Sequence, residues 1–186
     1  MKRRQALTAM TALSAAAWSP AQSQGSDNIA ALLRAGACVI MIRHAATEPG
    51  VGDPPHFVIG NCSTQRNLSA EGRAQSQRLG QWFTARQLRA RSVQSSAWCR
   101  CRDTAELAFG PHTVLPALNS TFSDSRSQVA QTQTLRRLLQ SVPAGQFEVW
   151  VTHQVNITSL TGEWASNAEA FIISASGQLL ARGLLS

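Results

Sequence analysis

The stretch Val39-Ile40-Met41-Ile42-Arg43-His44-Ala45-Ala46-Thr47 runs four apolar residues straight into an arginine and a histidine. Gly36 bounds it upstream, and a Pro- and Gly-rich segment at 49–60 bounds it downstream, so it reads as an interior parallel strand. Ligands of open α/β sheets gather at the carboxyl ends of such strands, which puts Arg43 and His44 on the rim of a crevice. The pattern recurs late in the chain, where Phe147-Glu148-Val149-Trp150-Val151-Thr152-His153 is a second apolar strand ending on a histidine.

The segments between these strands alternate. Ser26 and Asp27 predict the cap of a short helix over 28–34 that Gly36 ends. Residues 48–67 hold too many breakers for a helix or an interior strand and read as a long loop at the strand's carboxyl end, a length that in a small domain points to function. Ser69 predicts the N-cap of a helix running to about Leu88, with Leu79, Trp82 and Phe83 inward. A strand at 91–95, a helix at 98–109, a short strand at 113–115, a helix at 132–140 and a helix from 155 to Gly162 follow. A hairpin turning at Ser176-Gly177 closes the chain. This alternation predicts a single α/β domain of three α/β/α layers, a mostly parallel sheet with helices on both faces.

The N-terminus predicts export. Met1-Lys2-Arg3-Arg4 precedes an Ala-rich, weakly polar run that ends in small residues, so 1–24 reads as a secretory signal peptide cleaved near 21–25, and 25–186 as the domain. The run is too short to span a bilayer, so no stable membrane insertion is expected after cleavage. The twin arginines leave both Sec and Tat routes open. Loss of Lys2, Arg3 and Arg4 leaves 14 basic against 10 acidic residues, a net charge of +4 in place of +7. The remaining cations are dispersed arginines, a pattern that argues against a nucleic-acid partner and suits a small anionic substrate. Cys38, Cys62, Cys99 and Cys101 lack zinc-ligand spacing, and in an oxidising compartment one bridge is expected.

Three strand ends converge if the strands are parallel: Arg43-His44, His153, and Gln94-Ser95-Ser96 ahead of Arg100. Two guanidiniums and two imidazoles make a poor metal site and a good cradle for a dianion, because arginine forks match phosphate oxygens. No cofactor and no metal are called for.

Four segments in this order resemble the histidine phosphatase superfamily, of phosphoglycerate-mutase-like fold: Arg43-His44-Ala45-Ala46-Thr47 (the family's R-H-G-x-T), Leu68 to Gln75 (L-T/S-x-x-G-x-x-Q), Ser95-Ser96 with Arg100 and Thr104-Ala105, and Val151-Thr152-His153. The resemblance covers nearly the whole chain after the signal segment. It implies an exported, metal-independent phosphatase in which His44 is the catalytic nucleophile and forms a phosphohistidine. Arg43, Arg100 and His153 would hold the phosphoryl oxygens. Resemblance to exported members that act on lipopolysaccharide core heptose phosphate implies a phosphorylated small molecule or envelope sugar as substrate.

The family's spacing favours Arg100 over Arg102, which points elsewhere from the same helix; Arg66 and Asn67 at the loop end read as structural, with substrate contact as the alternative, and His56 and His112 read as surface residues. Cys62 and Cys99 flank the crevice, and a Cys62–Cys99 bridge pinning the loop is the preferred pairing, although spacing leaves connectivity open. Three departures from the family bear on turnover. Ala45 replaces its glycine, Gly50 stands where many members carry a phosphate-contacting asparagine, and Gln154 stands where the acid phosphatase branch has its aspartate donor. Asp124 is the candidate proton donor, with Glu48 behind it. The alternative is a phosphate-ligand binding protein of the same fold with little or no turnover.

Overall fold

A computed structural model describes residues 20–185 apart from Val51 and Ser123. Its elements in chain order are α1 (Pro20–Ala35), β1 (Cys38–Arg43), α2 (Ala70–Ala85), β2 (Ser92–Ser95), α3 (Cys99–Phe109), β3 (Thr113–Val114), α4 (Gln128–Leu139), β4 (Phe147–Thr152), α5 (Gln154–Thr161), β5 (Glu169–Ser174) and β6 (Leu179–Leu184). Single turns of 3-10 helix at Cys62–Thr64, Pro116–Leu118 and Ser125–Ser127 punctuate the loops.

The strands form one six-stranded sheet in the order β3-β2-β4-β1-β5-β6. β1, β2, β3 and β4 are mutually parallel, and the β5–β6 hairpin adds an antiparallel edge to β1. Along β1 the pleat sorts side chains by alternation: Ile40 and Ile42 join Leu79, Trp82 and Phe83 under α1, α2 and α3. Val39 and Met41 join Leu135, Leu139 and Ile157 under α4 and α5. These are the expected three layers, and each aliphatic side chain so buried contributes roughly 1.5–3 kcal/mol.

The connections place the crevice. From the carboxyl end of β1 the chain leaves toward α2 on one face, and from the end of the adjacent parallel strand β4 it enters α5 on the other. Neighbouring strands whose connections diverge to opposite faces leave an opening between them, and in this sheet it lies at His44 and His153. Register makes the two level: Arg43 pairs with Thr152, and His44 N donates to Thr152 O at 2.9 Å.

Three helix boundaries differ from expectation. α1 starts at Pro20, whose fixed φ suits a first turn, so Ser26 lies inside the helix and accepts a hydrogen bond from Trp82 Nε1 at 2.7 Å where a cap was expected. The expected cleavage window at 21–25 falls in the first turns of α1, and residues 1–19, most of the expected signal segment, lie outside the described residues. α4 starts at Gln128, ahead of its apolar period, because Gln128 and Gln131 bond sideways to Ser159, Asn119 and Asn156. α2 stops at Ala85, where Gln87 turns to a positive φ of 55°.

Candidate active site

His44 follows the last residue of β1 and is 3 % exposed. Its Nδ1 lies 2.9 Å from the carbonyl oxygen of Ala45. A carbonyl only accepts, so Nδ1 carries the proton and Nε2 keeps its lone pair. Burial, and then the Arg100 and Arg43 charges, push the imidazole down to about 3, so the ring is neutral at neutral pH.

His153, equally buried, caps α5 and faces His44 edge-on with ring centroids 5.5 Å apart. Its Nε2 is 2.9 Å from Ser96 Oγ. The Ser96 hydroxyl donates to Asn119 Oδ1 at 3.0 Å, so Ser96 accepts from His153 and the proton sits on Nε2. The ring's orientation is therefore set by a Ser–Asn relay from the end of β2. Burial, then the neighbouring His44 and Arg100, hold its proton affinity well below the ordinary range.

Arg43 reaches across to Ala165 O at 2.8 Å, and Arg100, 4 % exposed, lies over the Trp98 ring with its guanidinium carbon 4.5 Å from the centroid. Thr104 fixes their spacing: it accepts from Ala45 N at 3.0 Å and donates to Arg100 O at 2.7 Å, tying the end of β1 to the start of α3. The buried Nε atoms of Arg43 and Arg100 have no hydrogen-bond partner. Two buried donors of fixed positive charge beside a neutral imidazole form an anion seat. The four expected residues, Arg43, His44, Arg100 and His153, thus come together, while Arg102 is exposed on α3.

The long loop returns over this seat. Gln65 Nε2 donates to Val58 O and its Oε1 accepts from Cys99 N, and Cys62 is bonded to Cys99 at a Cα separation of 5.6 Å. Arg66 contributes a third charge, felt at both histidines. Facing them is Asp53, which sequence reasoning missed. Its Oδ1 accepts from Arg100 Nη1 at 2.8 Å and from Arg66 N at 3.3 Å. The signal available was thin: 48–67 holds two carboxylates, Glu48 and Asp53, and Glu48 is exposed.

Other expected residues lie outside the cluster. Asp124 is half-exposed and turned to Arg126, accepting from its N at 3.3 Å. Gln154 is used structurally, accepting from Ala165 N and donating to Thr158 Oγ1. His56 is exposed, as read. His112 is not a surface residue: its side chain is 10 % exposed and Nδ1 lies 3.3 Å from Glu106 Oε2, because the turn after α3 folds it back on the helix. The Cys101 thiol, 3.4 Å from His153 Nε2, is pushed up to about 12 by burial and stays protonated.

The family model for the histidine phosphatase superfamily (branch 1) matches residues 39–143. No curated protein matches the chain significantly. Among solved structures, a phosphoglycerate mutase from Thermus thermophilus is similar at 20 % identity and a TM-score of 0.57, over 80 % of this chain and 99 % of that one. TTHB049 from the same organism is similar at 20 % identity and a TM-score of 0.55, over 78 % of this chain and 98 % of that one. At such identities the likeness speaks for the fold alone.

Proposed function

The chain belongs to the histidine phosphatase superfamily, and from that premise we propose that it hydrolyses phosphomonoesters through a phosphohistidine on His44. The observation that carries this reading is a buried imidazole with its lone pair on Nε2, set beside two arginines whose buried Nε donors have no partner. His44 Nε2 attacks phosphorus as the ester oxygen leaves in line, and Arg43 and Arg100 hold the equatorial oxygens. Their charge is in place before the reaction, so stabilising the transferring phosphoryl group needs no reorganisation. His153 stands over the same oxygens, and the dianion's charge favours a proton on its ring. Water then attacks the phosphohistidine and frees phosphate.

The same reading places the protein outside the cytoplasm, acting on phosphorylated small molecules such as envelope sugars. The basic, Ala-rich N-terminus and the Cys62–Cys99 bridge beside the crevice support it. Chain recovered from the periplasm should begin near 21–25, whereas intact chain retained in the cytoplasm contradicts export.

Phosphate release from an aryl phosphate, measured with chelator present, tests the activity. Wild type is expected to turn over and His44→Ala is not. Stabilisation by phosphate without release from wild type would instead select a binding protein of this fold.

A further inference from the structure

The seat described above has a nucleophile and cations, but alkoxide leaving groups also need a proton, and neither expected donor is in place. Asp124 is turned to Arg126 and Glu48 is exposed. Among the described residues, the carboxylate bonded to the cluster is Asp53. Its position fits in-line geometry. His44 lies on the floor at 3 % exposure, and the Asp53 side chain at the mouth at 24 %. A phosphoryl group attacked from the floor expels its ester oxygen toward the mouth.

On the phosphohistidine reading, we infer that Asp53 is the acid–base residue of this site, delivering a proton to the leaving oxygen and later taking one from water. In the free protein Arg100 holds the Asp53 carboxylate at 2.8 Å. A bound phosphoryl dianion competes for the same guanidinium and frees the carboxyl group to face the leaving oxygen, and the proton it delivers is the one that water returns to it in the second step of the cycle. In the first step the Nε2–P bond forms, the P–O ester bond breaks, and the Asp53 proton goes to the departing alkoxide. In the second, water oxygen bonds to phosphorus and its proton passes to Asp53. The P–N bond breaks with its electron pair returning to Nε2. Gln65 and the Cys62–Cys99 bridge hold the loop end beside α3, and Arg66 N, next to Gln65, donates to the Asp53 carboxyl, so the carboxyl is held at one place for both steps.

The test compares leaving groups in rapid-quench first turnovers of the full chain. Asp53→Asn should slow alcohol release from glycerol phosphate by about a hundredfold while leaving the nitrophenolate burst from nitrophenyl phosphate within about threefold. Steady-state nitrophenyl turnover should still fall, with phosphohistidine accumulating, because water has lost its base. Asp53→Glu, which keeps a carboxyl group, should recover glycerol phosphate release to within about tenfold of wild type. Equal losses on both substrates, or none, overturn the assignment and leave the nucleophile standing. No phosphoryl label on wild-type His44 overturns the phosphohistidine reading and Asp53 with it.

Discussion

His44 has its ring nitrogens assigned by one carbonyl and its charge state by burial beside arginines. The cost of that arrangement is visible in acid. The unfolded chain binds a proton near the ordinary histidine value of 6.5, and the folded ring only near 3, so stability is full above 6.5 and is lost as pH falls through the interval. A shift of this size is worth about 5 kcal/mol at the bottom of the window. Burial opposes protonation most, followed by Arg100 and, with smaller effect, Arg43 and Arg66, while the hydrogen bond to Ala45 O favours it. Urea unfolding between pH 7.5 and 4 should show wild type losing stability more steeply than His44→Asn; equal slopes would contradict the buried neutral ring. Arg100→Ala should reduce phosphate release by about a hundredfold or more, on the scale of losing a preorganised oxyanion donor. An unchanged rate would remove Arg100 from the seat.

Two contacts between elements hold these residues in position. Gly72, in the first turn of α2, lies so close to the end of β1 that a Cβ would fall on the Ala46 carbonyl oxygen. Ser69 N and Ser69 Oγ also donate to that oxygen. Gly72→Ala must therefore push α2 off the His44 segment, and a loss of at least about 2 kcal/mol in unfolding free energy is expected, with activity falling in parallel. The bridge from Cys62 to Cys99 closes 37 residues of chain, and the Cys62→Ser, Cys99→Ser pair should lose about 4 kcal/mol by chain entropy alone. A double variant as stable as wild type would show the loop needs no staple. Elements of this kind were legible where apolar periodicity decides structure: β1 and β4 announced themselves as runs ending in histidine, and Ser69 caps α2 as its sequence suggested. Elsewhere the signal was local and the structure was not. Polar side chains at the start of α4 are spent on Asn119, Asn156 and Ser159, which no period reveals. Asp53 joins the site through Arg100, 47 residues away, and through Arg66 N, and a lone loop carboxylate carries no mark of either pairing.

Over the whole molecule, the sheet makes the site by topology. β4 inserts between β1 and β2, so three parallel strands deliver Arg43-His44, Ser95-Ser96 and His153 to one edge, and diverging connections open that edge between the outer layers. The family's motifs are therefore four distant segments of sequence and one small volume of space. Together they make a charge balance: cationic arginines around neutral imidazoles, with the Asp53 carboxylate paired to Arg100. The most direct measurement of this account is rapid-quench peptide mapping of the chain mixed with an aryl phosphate. It should find an acid-labile, alkali-stable phosphoryl group on the peptide bearing His44, absent from His44→Ala. Phosphate released with His44 never labelled, or with the label on another residue, would contradict it.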